Sequence, residues 1–275
     1  MHSLPVFDLN GKEKEKITLP KAFSEPVRKD LIQKAVVAEA SKLRQAYGSD
    51  PLAGHRTSAH YHGMRHSRYS QMNKEMARMK RIHSQGYLNM TARFNPRTVK
   101  GRRAHPPKAE KIWALKINKK ERMKALKSAL SATLEKELVK KRGHIIDKVM
   151  HIPLVFEDDF QKIAKTSEAI KILELAGLKE ELARCSEKKV RAGRGKMRGR
   201  RYKSKKGPIV IISKDEGARK ALENIPGIDV FLTKELNVSC LAPGTHPGRL
   251  AIFTKSAIVE MKELDSDGKV GKAAK

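Results

Sequence analysis

The sequence predicts an α/β protein: a three-layer, Rossmann-like body with a mainly parallel sheet, plus a long basic non-globular loop extension. Three observations carry that prediction. In the second half, short uninterrupted apolar runs (IPLVF, PIVIIS, IDVFLT, RLAIFT) alternate with amphipathic stretches, the pattern of strands covered on both faces. The runs that begin near Ile209, Ile228 and Leu250 stand about twenty residues apart, room enough for a helical crossover between parallel neighbours. Residues 44–108, by contrast, hold only five Leu, Ile, Val or Phe (Leu52, Ile82, Leu88, Phe94 and Val99), too few to build a core.

The elements follow in order. PVFDLNGKEKEKITL predicts two short strands around the Asn10-Gly11 turn. SEPVRKDLIQKAVVAEASKLRQAYG predicts a helix with Pro26 in its first turn, Val27, Leu31, Ala35 and Ala38 on one stripe, and Gly48 as its stop. Inside the 44–108 extension, Met72, Met76, Met79 and Ile82 recur at helical steps and predict one short helical turn. NKKERMKALKSALSATLEKELVKKRG predicts one long helix. Asn118 and Glu121 have capping-box spacing, Met123, Leu126, Leu130, Leu134 and Leu138 form the apolar stripe, and Gly143 ends it.

IPLVFED then predicts a strand ahead of a helix from Thr166 to Ala176, and PIVIIS one ahead of a helix from Lys214 to Asn224. IDVFLT follows, and RLAIFT leads into a last helix near Ser256. The expected division is a body in two parts, 1–43 and 109–263, around the extension at 44–108, with a mobile tail at 264–275.

Charge narrows the function. The formal charge is +30, and it is concentrated. Residues 44–108 hold fourteen Lys or Arg against Asp50 and Glu75, and residues 191–206 hold nine with no acid. An ordinary solvated face mixes signs; an excess of this kind points to a polyanion, nucleic acid ahead of a membrane surface. No apolar run approaches the roughly 18–20 residues of a spanning helix, and MHSLPVFDLNGKEKEK has no secretory pattern. Cys185 and Cys240 lack metal-ligand spacing, which predicts incidental thiols in a reducing, intracellular setting.

The catalytic classes find little support. Gly195-Lys196 has Val190 where a phosphate-binding loop needs its first Gly, and Met197 where it needs Ser or Thr. No GxGxxG opens a helix, no nucleophile–base arrangement stands out, and the basic segments lack paired carboxylates; neither an enzyme nor a cofactor is expected. His55, His60, His62 and His66 raise the question of a metal. Ligation needs a scaffold and second partners, so the expected reading is histidines that hydrogen-bond or stack on nucleic acid, with no metal.

Phosphate binding fits the residue types. Arg presents a planar fork to phosphate oxygens and Gly permits close backbone approach. In the second segment the expected contacts are Arg191, Arg194, Lys196, Arg198, Arg200, Arg201 and Lys203. Tyr61, Tyr69, Tyr87, Phe94 and Tyr202 are interleaved with Arg and suit base stacking. Flexible, Gly-broken basic segments without helix-turn-helix or zinc-finger spacing favour RNA over DNA.

AGHRTSA, GRRAHPPKAEK, NKKERMKALKSALSAT, RAGRGKMRGRRY and LAPGTHPGRLAIFT fall in the order and spacing of one family. The chain resembles the L-four family of ribosomal large-subunit proteins, in its archaeal and eukaryotic form, over nearly its whole length. The resemblance implies a cytoplasmic component of the large ribosomal subunit, with large-subunit ribosomal RNA and neighbouring ribosomal proteins as partners and no membrane. It also implies that the extension reaches the wall of the nascent-peptide exit tunnel. By position, Arg56, Arg65, Arg68, Arg97, Lys100, Arg102 and Arg103 lie along the RNA-binding arms. The tip falls near 76–83, with Arg78, Lys80, Arg81 and His83 close to the nascent peptide and Arg78, Lys80 and Arg81 also counted among the RNA-binding residues. Family members carry a Pro between the basic residues of the tip, where Met79 and Lys80 stand here. The rival readings are a non-ribosomal basic RNA- or DNA-binding protein and an RNA-modifying enzyme on a Rossmann-like body.

Overall fold

In the computed structural model, residues 3–83 and 86–262 are described; the tail expected at 264–275 lies outside them. The chain divides into two compact units, one made of Met1–Ser41 with Leu115–Lys275 and the other of Lys42–Ala114.

The first unit begins with the expected hairpin. β1 (Ser3–Phe7) and β2 (Glu13–Thr18) pair antiparallel across the Asn10-Gly11 turn. β2 is the sheet edge, and its EKEK run is exposed; charged side chains on an edge discourage pairing with another chain. α1 (Lys29–Lys42) starts after Pro26 and ends well short of Gly48. Its start is held by Ser128, whose Oγ accepts from the Arg28 N–H (2.6 Å) and donates to the Pro26 carbonyl (3.1 Å). The buried stripe is Ile32, Ala35, Val36 and Ala38; it keeps Ala35 and Ala38 of the expected stripe, while Val27 and Leu31 are half-buried, and beyond Ala38 no residue as far as Gly48 is buried.

The expected long helix is two, α2 (Lys119–Ser131) and α3 (Lys136–Arg142). Ser131 and Thr133 turn their hydroxyls onto the carbonyls of Ser128 (3.0 Å) and Leu130 (2.6 Å), and such local bonds compete with continuing a helix. The Asn118 side chain makes no cap bond, and the Glu121 carboxylate of the expected capping box pairs with Lys34 instead. Gly143 closes α3 with φ 97°, the left-handed conformation that favours glycine.

β3 (Leu154–Phe156), α4 (Thr166–Leu175) and α5 (Lys179–Ser186) follow, the last absent from the sequence prediction. β4 (Lys189–Val190) and β5 (Tyr202–Lys203) make a separate two-stranded ribbon. Then come β6 (Ile209–Ile212), α6 (Ala218–Glu223), β7 (Asp229–Leu232), α7 (Val238–Leu241), β8 (Ala251–Thr254) and α8 (Lys255–Met261). α6 is shorter than the expected 214–224. Asp215 instead accepts the N–H groups of Gly217 and Arg219 in a turn that precedes it.

The main sheet has the order β2-β1-β3-β8-β6-β7, parallel throughout except for β1/β2. Alternate strand residues feed two cores. Val155, Ile209, Ile211, Ala251 and Phe253 pack with α1, α2, α7 and α8. Leu154, Phe156, Val210, Ile212 and Ile252 pack with α3, α4 and α6. Strands sandwiched in this way explain the unbroken apolar runs, and the arrangement is the three-layer α/β body.

The 42–114 unit is built differently. Among the described residues none of it enters either core, and only Ala59, Ser70 and Gln71 are buried. Isolated bridges, His60 to Arg81 and Arg81 to Ala92, draw its chain together. The helical turn expected over Met72–Ile82 does not form. Asn73 takes a left-handed backbone (φ 54°), and the Gln71 amide clamps Met79, donating to its carbonyl (2.7 Å) and accepting its N–H (3.1 Å).

Candidate nucleic-acid interface

The basic segment near residue 200 folds back on itself as a short ribbon. Lys189 and Val190 pair with Lys203 and Tyr202, and a turn of 3-10 helix spans Arg194–Met197 at the far end. Arg191, one of the expected contacts, is half-buried and serves the ribbon itself, donating to the carbonyls of Arg200 (3.1 Å) and Tyr202 (3.4 Å). Arg194, Lys196, Arg198, Arg200, Arg201 and Lys203 are exposed, and among the described residues none pairs with an acid. Arg201 lies over the Tyr202 ring, 5.7 Å from its centroid. Lys205 and Lys206, at the root, are neutralised by Glu187 and Asp229.

At that root opens a cavity of about 860 Å³ lined by cations and no acid. Lys29 comes from α1, Lys141 and Arg142 from the end of α3, Arg184 from α5, and Lys189 and Lys203 from the ribbon. Burial, with Arg249 and Arg184 nearby, lowers the Arg142 pKa to about 10, so it remains charged at neutral pH. Its guanidinium donates to the carbonyls of His246 and Pro243.

The cavity wall rests on a buried ionic knot. Burial alone would raise the Glu181 pKa, but Arg184 (2.6 and 2.8 Å), His144 (2.6 Å) and the Ile145 N–H (3.0 Å) hold it at about 2. Burial outweighs the carboxylate at His144 and lowers its pKa, so a neutral imidazole donates its Nδ1–H to Glu181. Cys185 is pushed up to about 11 by burial, which makes it an inert thiol.

In the 42–114 unit, Arg56, Arg65, Arg68, Arg78, Lys80, Arg97, Lys100 and Arg103 are exposed, while Arg81 and Arg102 are half-buried. Arg56 pairs with Asp50. Arg81 holds the unit's own backbone, donating to the carbonyls of Met90 (2.8 Å) and Ala77 (2.9 Å). Two of the expected stacking rings are already covered. Lys80 and Arg102 lie over Phe94 (4.3 and 5.8 Å), and Tyr69 stacks on His83 (4.3 Å). Tyr61, Tyr87 and Tyr202 remain exposed.

The sequence profile of the Ribosomal protein L4/L1 family matches residues 17–264. The chain belongs to that family. Large ribosomal subunit protein uL4 of Methanopyrus kandleri is 42% identical over 262 residues, covering 94% of this chain and 97% of the relative. The Archaeoglobus fulgidus protein of the same name is 43% identical over 259 residues, with 94% and 97% covered. That of Sulfurisphaera tokodaii is 45% identical over 255 residues, with 92% and 91% covered.

The expected sites of this L4-family chain thus fall on two separate features, the ribbon and the 42–114 unit. Sequence reasoning did not pick out the cavity cations Lys29, Lys141, Arg142, Arg184 and Lys189. One local signal was present, the Lys-Lys-Arg run in the last turn of α3. The others converge only through the fold. The sequence also gave no reason to join His83 to His60 and His62, which the bridge at Arg81 brings together.

Proposed function

We propose that this chain is a structural, non-enzymatic constituent of the large ribosomal subunit, cytoplasmic with it, and partnered by large-subunit ribosomal RNA and adjacent ribosomal proteins. Membership of the L4/L1 family, with relatives aligned over almost their full lengths, carries the reading. Exposed cations without acidic partners support RNA phosphates as their counter-charges, at Arg194, Lys196, Arg198, Arg200, Arg201 and Lys203 on the ribbon. The same reading assigns Arg56, Arg65, Arg68, Arg97, Lys100, Arg102 and Arg103 to RNA along the 44–108 extension.

The finer reading is that the extension runs to the nascent-peptide exit tunnel, with Arg78, Lys80, Arg81 and His83 nearest the peptide. Left-handed backbone at Met90, Phe94 and Lys100 costs roughly 1–3 kcal/mol per residue. Such a cost is consistent with a shape that enclosing RNA stabilises.

A tagged full-length chain sedimented through sucrose at high salt tests the assignment. Co-migration with large subunits after the salt wash is expected; release to the top of the gradient would identify a loosely bound basic protein instead. A photo-crosslinker at Lys80 tests the finer reading by capture of the nascent chain.

A further inference from the structure

Three histidines converge within the 42–114 unit. The ring centroids of His60, His62 and His83 lie 4.3, 4.4 and 4.6 Å apart, and one ring nitrogen of each is within 4.8 Å of the others. We propose that His60, His62 and His83 form a binding site for a divalent transition-metal ion of the zinc class.

The scaffold such a site requires is present. His60 and Arg81 exchange backbone hydrogen bonds (3.1 and 3.2 Å), which sets His83 two residues from a fixed pairing point. The Gln71 N–H donates to the His62 carbonyl (3.2 Å), and Tyr69 lies flat against His83 at 4.3 Å and 10°. The guanidinium of neighbouring Arg81 is turned onto the carbonyls of Ala77 and Met90.

The donor atoms are also in a suitable state. His60 Nδ1 is 2.9 Å from the Ser58 carbonyl, an oxygen that can only accept. The proton therefore sits on Nδ1 and leaves the Nε2 lone pair free, the usual arrangement for a ligating histidine. The Nε2 atoms of His62 and His83 are buried without a hydrogen-bond partner. Ring stacking alone leaves those buried polar atoms unsatisfied; a metal ion satisfies both.

All-imidazole ligation suits zinc, nickel or copper rather than magnesium. A tetrahedral ion with bonds of about 2.1 Å places its ligands about 3.4 Å apart. From 4.8 Å the nitrogens need close by no more than about 1.4 Å, within reach of side-chain rotation, and a fourth position is left for water.

Calorimetric titration of the full-length, RNA-free chain with Zn²⁺ tests the proposal, with Co²⁺ visible absorption as a second probe. One equivalent is expected to bind. His62→Ala and His83→Ala should each weaken it at least about tenfold, and the double variant His55→Ala/His66→Ala should leave it unchanged. Circular dichroism keeps the comparison fair, because none of these residues enters either core. The proposal is overturned if the triple variant of His60, His62 and His83 to Ala binds Zn²⁺ as tightly as the unaltered chain. It is equally overturned if the His55/His66 variant loses as much as His83→Ala. Neither failure touches the ribosomal reading, since the measurement contains no RNA.

Discussion

The guanidinium of Arg191 turns back across the basic ribbon, its Nε 3.1 Å from the carbonyl oxygen of Arg200. One cation of the cluster is therefore a brace, and the exposed ones beyond it are carried outward. Charge alone does not replace that bond. Arg191→Lys keeps the charge but loses the planar fork, and should weaken binding to large-subunit RNA by about 1.5 kcal/mol, roughly tenfold. Arg198→Lys, at an exposed position, should change it little. Equal losses in a filter-binding titration would show that Arg191 acts only as a charge.

Replacing Arg194, Arg198, Arg200 and Arg201 together by Gln should make the salt dependence of RNA affinity shallower. Each lost phosphate contact removes about 0.7–0.9 from the slope of log K against log salt, about 3 in total. The melting temperature of the free protein should stay where it is, because none of the four enters a core.

The Glu181 knot predicts acid sensitivity. Its folded pKa of about 2 lies below the ordinary 4.5. Its stabilisation is therefore complete above 4.5 and is lost as pH falls from there toward 2. His144, lowered from 6.5, adds a loss that begins below 6.5, where the unfolded chain takes up a proton that the buried ring resists. Urea unfolding between pH 7 and 3 should show both declines. Glu181→Gln, which removes the carboxylate that Arg184 and His144 share, should cost about 3 kcal/mol and flatten the lower one; an unchanged pH profile would refute the assignment.

Much of this architecture was legible in the sequence, and the misses share a cause. The parallel strands announced themselves because a strand buried on both faces is apolar at every position, as in Ile209–Ile212. The low aliphatic content around residues 44–108 likewise agrees with the absence of its described residues from both cores. Helix ends were misread where side-chain hydrogen bonds, distant or local, decide them. Ser128 begins α1 from across the core, and the hydroxyls of Ser131 and Thr133 divide what periodicity joins. At the candidate site the charge runs were visible along the chain, whereas the cavity cations and the His60–His62–His83 cluster arise from residues far apart in sequence.

Gly227 has φ 87°, and a Cβ there would stand 2.8 Å from that of Cys185. Gly227→Ala therefore combines a strained backbone with a clash against a buried side chain. It should destabilise the body by at least about 1 kcal/mol, read as a lower urea midpoint with an unchanged slope. Gly193→Ala, also at positive φ (76°) but with open space around its Cβ, isolates the backbone part and should cost less.

The central claim is that the ribbon and the extension are enclosed by ribosomal RNA, and ultraviolet crosslinking of intact large subunits followed by peptide mass spectrometry tests it most directly. The account predicts RNA adducts on peptides from 191–206 and from 56–103, with both stretches resisting trypsin in the particle and cleaved in the free protein. Adduct-free peptides from both stretches, cut by trypsin as quickly in the particle as in solution, would contradict it.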